Sequence, residues 1–422
     1  MIDWSQILQN IVYFISLFYV VFWMLVLLEL KESKEKKMPE VLPEISIAIP
    51  AYNEEVNIVA TIKSVIALEY PKEKISLFVV DDGSKDRTYE LAHKFMKIVN
   101  SKYNYKKAVV LTQKNSGKFA AMNNVLSQVD SEFFITLDAD SFPKKDCLNK
   151  LLSYFDSPKI AGVSSILKVY KPKTLLQRMQ CFEYAVNHFY KKLISTLNAI
   201  HVLPGPMAMY RTKILKKVGG FREAHKTEDM EVVLRIQKNQ YKVVQCNESF
   251  VFTKTPRKIK ELYKQRHRWN YGSFRNVLDY SGLMFRNKYG DFGFFQLPMI
   301  FVSAFLGITI LGLIIYELFK RLIPGLKMLS MYDFNILSYL SEIHFNLIWL
   351  DLDLRAIITV LGFLTLGLVI IWMSFRFYNI KYSSKNAVPF VFYFFFYYLF
   401  LAVVWAGVFK DVILRRGTRW DK

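Results

Sequence analysis

Four long stretches of this 422-residue chain contain no charged side chain: 11–28, 292–316, 356–375 and 386–409. Each has close to the length that a helix needs to cross a ~30 Å hydrocarbon layer. Between the first two lies a polar block, 31–291, long enough for a globular domain of its own. Its pattern is different. A charged, proline-containing linker (31–44) leads into short continuous apolar runs at 45–49, 75–80, 108–111 and 133–137, with helix-like stretches such as 55–68 and 88–99 between them. This alternation predicts a largely parallel sheet covered on both faces. Each apolar run ends in polar or acidic residues, and open α/β sheets bind ligands beyond the carboxyl ends of their strands. Tyr52, Glu54, Asp82, Lys118, Asp138 and Asp140 are therefore expected along one rim, although Asp, Asn and Gly also populate ordinary loops.

The segments 174–200 and 256–280 read as amphipathic helices. In the first, Leu175, Leu176, Met179, Phe182, Phe189 and Leu193 oppose Arg178, Lys191 and Lys192. Both are expected to lie at a membrane surface. The first apolar run reads as a retained anchor, because the residues before it include Asp3 but no Lys or Arg, and no small-residue cleavage site follows. Lys31, Lys34, Lys36 and Lys37 come next and place the polar block in the cytoplasm. Three later spans would put the C-terminus outside, whereas Lys410, Arg415, Arg416, Arg419 and Lys422 favour the inside; a short element within 335–350 would reconcile the two. The expected organisation is an anchor helix (1–30), a linker (31–44), a catalytic domain (45–255), an interfacial segment (256–291), a membrane region (292–410) and a basic tail (411–422).

The formal charge of +21 does not indicate nucleic acid, since no nucleic-acid-binding motif accompanies it. Basic groups suit anionic lipid headgroups and phosphate-rich substrates equally. Cys147, Cys181 and Cys246 show neither metal-ligand spacing nor an obvious pairing, and fit a structural role in a reducing compartment. The apolar runs lack the intramembrane charges that mark an ion path.

Three polar motifs carry chemistry. Asp138-Ala139-Asp140 follows an apolar run, and two carboxylates so placed suit a hard divalent cation on a diphosphate; an extended backbone would aim both the same way. Thr227-Glu228-Asp229 offers a carboxylate for general-base work. It also reads as a helix start, with Thr227 capping and the acids favouring the dipole. Gln265-Arg266-His267-Arg268-Trp269 combines guanidinium groups that fork onto phosphate with a ring that stacks on sugar, although a basic interfacial helix has the same composition. In Leu203-Pro204-Gly205-Pro206-Met207, Gly205 permits close backbone approach by a second substrate, or simply forms a turn.

Pro50-Ala51-Tyr52-Asn53-Glu54, Asp81-Asp82-Gly83-Ser84, Asn115-Ser116-Gly117-Lys118 and the three motifs above occur in the order found in family-2 glycosyltransferases with a GT-A fold. Over about 45–272 the chain resembles the membrane-integrated branch, which includes cellulose, chitin, hyaluronan and poly-N-acetylglucosamine synthases and smaller cellulose-synthase-like transferases. The resemblance implies an α/β GT-A domain, mostly parallel, with transmembrane and interfacial helices. It implies a nucleotide-sugar donor (UDP- or GDP-linked), a glycan or lipid-linked glycan acceptor, membrane lipids as surroundings and no nucleic acid. Pro50, Ala51, Tyr52, Glu54, Asp82 and Lys118 would bind the donor nucleotide. Asp138, Ala139 and Asp140 would face the diphosphate, with Asp140 and then Asp138 as ligands to Mn²⁺ or Mg²⁺. Asp229 would be the base, beside Glu228. Gln265, Arg268 and Trp269 would close over diphosphate and acceptor, and Gly205, Glu228 and Trp269 would line the acceptor side. There are fewer apolar spans here than in the large polysaccharide synthases. Gln-x-x-Arg-Trp, by contrast, accompanies chain-building enzymes.

Overall fold

The computed structural model describes residues 4–29, 36–331, 333–336, 354–380 and 383–415. The helices are α1 (Trp4–Leu28), α2 (Ile58–Ile66), α3 (Thr88–Lys102), α4 (Lys118–Leu126), α5 (Cys147–Leu152), α6 (Leu175–Thr196), α7 (Thr212–Lys217), α8 (Glu228–Lys238), α9 (Ile259–Asp279), α10 (Leu297–Met331), α11 (Leu354–Tyr378), α12 (Ser384–Phe392) and α13 (Tyr398–Ile413). The strands are β1 (Ile45–Ala51), β2 (Ile75–Asp81), β3 (Lys107–Thr112), β4 (Phe133–Thr136), β5 (Ser141–Pro143), β6 (Ile160–Val169), β7 (Ala208–Arg211) and β8 (Lys242–Thr253).

The strands form one sheet in the order β3-β2-β1-β4-β7-β6-β8-β5. Only part of it is parallel. β1 pairs in parallel with β2 and β4, β2 with β3, and β6 with β8, whereas β7 runs against β4 and β6, and β5 against β8. The sheet is therefore mixed: four of its seven pairings are parallel, in keeping with the mostly parallel sheet expected, and three are antiparallel. The reversing strands β5 and β7 have three and four residues, too few to register as apolar runs, so the pattern showed only the parallel half.

Alternation along β1 divides the core. Ile45, Ile47 and Ile49 join α2 and α5 on one face, while Ala48 joins Met122 of α4 and Phe189 of α6 on the other, as a two-residue repeat requires. Each fully buried Ile contributes about 1.5–3 kcal/mol. The second cluster does not stop at the domain edge: Trp23 and Val26 of α1 and Leu297 and Ile300 of α10 belong to it. Phe22 stacks on Phe295 at 3.9 Å.

Gln6–Leu28, Phe292–Met331 and Ser384–Ile413 are long and apolar enough to cross a membrane. The remaining run, 356–375, lies in α11, which packs along α6 with Phe375 4.9 Å from Phe182. Most of the expected element within 335–350 lies outside the described residues, as does 416–422 of the tail.

The helix expected at 174–200 forms as α6, started by a capping box in which Thr174 and Gln177 exchange bonds. Its placement differs from a surface helix. It is packed between β6 and β8 on one side and α11 and α12 on the other, so Gln180, Glu183, His188 and Lys191 are buried along with its apolar residues. Its polar side meets the sheet, where His188 accepts from Leu167 N–H of β6 and bonds Gln245 of β8, while α11 packs on Phe182 and Phe189. The segment 256–280 forms α9 as expected, lodged against α10 and α13.

Candidate active site

The strand ends gather as expected. Beyond β1 the chain turns through Tyr52 and Asn53, whose φ is 54°. Asn53 N–H donates to Ser84 Oγ (3.0 Å) and Glu54 N–H to Thr88 Oγ1 (2.7 Å), tying Pro50-Ala51-Tyr52-Asn53-Glu54 to the end of β2. Glu54 accepts from Asn57 Nδ2 at 2.7 Å. Asp82 is buried. It accepts from Gln113 Nε2 (2.8 Å), Ser116 N–H (2.9 Å) and Gly117 N–H (2.9 Å). Its carboxylate thus fixes the loop that launches α4 and brings Lys118 to the rim.

Asp138-Ala139-Asp140 lies in a turn, not on an extended strand: β4 ends at Thr136, and Asp138 C=O accepts from Ser141 N–H at 3.0 Å. The geometry expected from extended alternation does not apply. Asp140 accepts from Ser141 Oγ at 3.1 Å. Lys118 Nζ donates to Asp138 Oδ1 at 2.6 Å and lies 3.4 Å from Glu228 Oε1. One ammonium therefore joins the aspartate turn to Thr227-Glu228-Asp229. Burial opposes the charge on Lys118, but Asp138, Glu228 and Asp229 together hold its pKa well above the ordinary lysine value. Gly205 borders this pair. Its carbonyl accepts from Thr136 Oγ1 at 2.8 Å, and a Cβ there would collide with Lys118 Nζ and sit 2.9 Å from Asp138 Oδ1.

Asp229 is in the first turn of α8, where its Oδ1 accepts from Met230 N–H at 2.9 Å. Burial pushes its carboxyl up to about 6; Glu228 adds to the rise, while Lys118 and Arg268 pull it down. Thr227 stands at the N-cap position without capping. Its hydroxyl donates to Ala224 C=O (3.1 Å) and accepts from Asn276 Nδ2 (2.8 Å). The three residues before it, Ala224, His225 and Lys226, have φ values of 41°, 52° and 62°. Such left-handed conformations cost roughly 1–2 kcal/mol each in L residues. α9 holds them: Arg268 donates to Lys226 C=O at 2.7 Å, and Asp279 lies 2.8 Å from His225. Gly272 lets α9 approach, since a Cβ there would strike the Thr227 side chain. A cavity of about 990 Å³ opens behind this turn, bordered by Arg222, Lys238 and Arg286, and none of the expected site residues lines it.

Within Gln265-Arg266-His267-Arg268-Trp269 the two arginines separate. Arg268 faces Asp229 electrostatically. Arg266 turns away and is buried, with Nε donating to Glu183 Oε1 at 2.7 Å and Nη2 also bonded to Glu183. Tyr397 OH donates to the same carboxylate at 2.7 Å. Arg266 also bonds Gln265 and lies 4.3 Å from the centre of the Trp269 ring. Arg266 thus fastens α9 to α6 and is not poised to grip a diphosphate; the motif alone does not distinguish the two guanidinium groups. The expectations also missed Glu183, which is buried against Arg266 of α9 and Tyr397.

Among the described residues no group of three or more His, Cys, Asp or Glu side chains could hold a metal ion. Asp138 and Asp140 are two carboxylates in one turn, and Mg²⁺-like ions commonly bind through one or two carboxylates plus substrate phosphates. The residues therefore fit a cation that arrives with a diphosphate, not a resident protein cage.

Residues 46–219 match Glycosyl transferase family 2, and residues 133–409, more than half of the chain, match Glycosyl transferase family group 2. Among similar curated proteins is a probable glycosyltransferase, YdaM, of Bacillus subtilis, 29% identical over 256 residues, covering 58% of this chain and 59% of that protein. The poly-β-1,6-N-acetyl-D-glucosamine synthase of Staphylococcus epidermidis is 29% identical over 236 residues, covering 56% and 55%. The β-monoglucosyldiacylglycerol synthase of Trichormus variabilis is 26% identical over 260 residues, covering 61% and 54%. The matched region thus spans little more than half the length of these relatives. In fold the chain is similar to a mannosyltransferase from Pyrobaculum calidifontis solved with GDP-Man and Mn²⁺, with a TM-score of 0.62 and 14% identity over 97% of this chain and 98% of that one. The chain belongs to the family-2 glycosyltransferases, and its sheet and helices form a GT-A domain joined to apolar helices of membrane-spanning length.

Proposed function

We propose that the protein is an inverting, metal-dependent glycosyltransferase that moves a hexose or N-acetylhexosamine from a UDP- or GDP-sugar to a hydroxyl of a glycan or lipid-linked glycan at the cytoplasmic membrane face. The observation that carries this reading is Lys118, whose ammonium bridges Asp138 and Glu228. It brings the carboxylates suited to a donor diphosphate into the cleft that holds Asp229.

In the proposed reaction the acceptor oxygen attacks the anomeric carbon as the bond from that carbon to the diphosphate oxygen breaks. The hydroxyl proton passes to Asp229. Tyr52, Glu54 and the loop fixed by Asp82 receive the nucleotide. Asp138 and Asp140 would hold Mn²⁺ or Mg²⁺, which when bound supplies positive charge for the leaving diphosphate. Arg268 and Lys118 add charge near the same group, and Gln265 and Trp269 cover the acceptor side. A second reading, a processive synthase that elongates and exports a β-linked polymer, is favoured by Gln265-Arg266-His267-Arg268-Trp269.

The test is nucleoside diphosphate release by the purified full-length protein with Mn²⁺ and UDP-glucose, UDP-N-acetylglucosamine or GDP-mannose. Asp229→Asn should abolish turnover while donor binding, read by thermal shift, survives. Retained turnover in that variant would remove Asp229 as base. Product length separates the two readings: a ladder of long chains marks a synthase, and a single added sugar marks one-step transfer.

A further inference from the structure

The cavity of about 990 Å³ behind Ala224–Lys226 takes no part in the reaction just described. Its volume is that of a small-molecule site, roughly 300–1,000 Å³. Four cations from three stretches of chain line it: Arg222 and Lys226 flank the turn, Lys238 ends α8, and Arg286 stands between α9 and α10. None of the four pairs with a carboxylate among the described residues. Two of the three carboxylates on the same wall are already engaged. Glu231 accepts from Arg235 Nε and Nη2, each at 2.6 Å, and Asp279 lies 2.8 Å from His225. That leaves Glu223 against four positive charges. The cavity also stands at the foot of a helix of membrane-spanning length. Arg286 comes six residues before Phe292, where the span Phe292–Met331 begins. Phe285 N–H donates to Gly293 C=O at 3.2 Å, and a Cβ on Gly293 would lie 2.5 Å from the carbonyl oxygen of Leu283, a residue of the cavity wall. The rings of Phe285 and Phe294 lie 6.3 Å apart and both are exposed, as apolar groups that meet a membrane are.

We propose that this cavity binds the phosphate headgroup of an anionic phospholipid, drawn from the membrane leaflet beside the sheet domain. Basic pockets beside spanning helices attract such headgroups, and the guanidinium groups of Arg222 and Arg286 can each fork onto phosphate oxygens. A zwitterionic headgroup carries its own cation and gains less. The site is separate from the catalytic cleft, and binding there requires nothing of sugar transfer. It bears on transfer through the role proposed for Asp229, because a phosphate held between Arg222, Lys226 and Arg286 ties the turn that precedes α8 to the start of the span.

The test titrates the full-length protein in a neutral detergent with dioleoylphosphatidylglycerol, dioleoylphosphatidylcholine or glycerol 3-phosphate. It follows the melting temperature, which a ligand of the folded state raises. Phosphatidylglycerol should raise it at concentrations where the other two do not. Arg286→Gln should require about fivefold more phosphatidylglycerol for the same rise, and Arg222→Gln with Arg286→Gln about tenfold or more. Lys288→Gln removes one charge two residues from Arg286, at a position that does not line the cavity, and should stay within about twofold. If the double variant melts lower without lipid, Lys238→Gln on the opposite stretch of the wall carries the comparison, with the same fivefold expectation. Equal losses in Lys288→Gln and Arg286→Gln would mark diffuse attraction to a basic chain and overturn the site. Glycerol 3-phosphate acting as strongly as phosphatidylglycerol would overturn the lipid, and no response to phosphatidylglycerol would overturn both. Nucleoside diphosphate release in nanodiscs of either lipid reads the link to Asp229 separately. A gain with phosphatidylglycerol that the double variant loses supports that link, and binding without any gain overturns it while the site stands.

Discussion

Gly205 shows how little room the cleft allows. A methyl group there would require the Lys118 ammonium, at the tip of a flexible side chain, to shift away from its place beside Asp138. Gly205→Ala should lower kcat/KM by about tenfold or more with a modest fall in melting temperature; full activity would show that the Lys118–Asp138 pair is dispensable. Asp229 makes two pH-dependent predictions. As a base it must be ionised, so kcat/KM should fall as pH drops through about 6. Its folded pKa is raised above the ordinary value, so it adds stability below about pH 4 and loses that contribution as pH rises through about 6. Asp229→Asn should therefore melt higher than the wild type near neutral pH, with the gap closing toward about pH 4. At this scale residue types were legible and directions were not. The spacing of Asp138 and Asp140 pointed to paired carboxylates, but only the bond from Ser141 N–H shows that they sit in a turn. Arg266 and Arg268 look alike in the sequence, yet one is buried on Glu183 and the other faces Asp229.

Between elements, the buried knot of Glu183, Arg266 and Tyr397 ties α6, α9 and the π-helical segment Tyr393–Tyr397 that joins α12 to α13. Removing one partner of a buried ion pair leaves the other uncompensated, at about 3–5 kcal/mol. Glu183→Gln should lower stability by that order, measured by thermal melting in detergent. The double change Glu183→Gln with Arg266→Met should regain a large part of it; equal losses in single and double variants would show the pair is not coupled. Long periodic elements were readable in advance: β1 and β2 from their apolar runs, α6 and α9 from helical spacing. What α6 packs against was not, because one amphipathic stripe cannot say that β6 and β8 will cover its polar side while α11 takes Phe182 and Phe189.

Across the whole molecule, the rough position of the apolar helices follows from composition, but their union with the sheet does not. Trp23, Leu297 and Ile300 share a core with Phe78, Phe134 and Phe189, residues scattered through the chain. A fragment covering 45–255 would expose that surface, so it should aggregate or elute as large species on size exclusion, unlike the full-length protein in detergent. A monodisperse, folded fragment would show that the membrane helices are only tethered to the domain. The full chain should sediment with membranes and resist alkaline carbonate extraction, as the three helices of membrane-spanning length among the described residues require.

The backward-wound stretch Ala224-His225-Lys226 is like a cocked spring with its catch on a different helix. Arg268, Asn276 and Asp279 form that catch, and all three ride on α9. If α9 slides or tilts against the bundle, the catch slips, the spring recoils toward ordinary right-handed geometry, and Asp229, the proposed proton acceptor at the start of α8, moves with it. On the role proposed for Asp229, sugar transfer would then depend on how α9 is seated against the apolar helices it packs on.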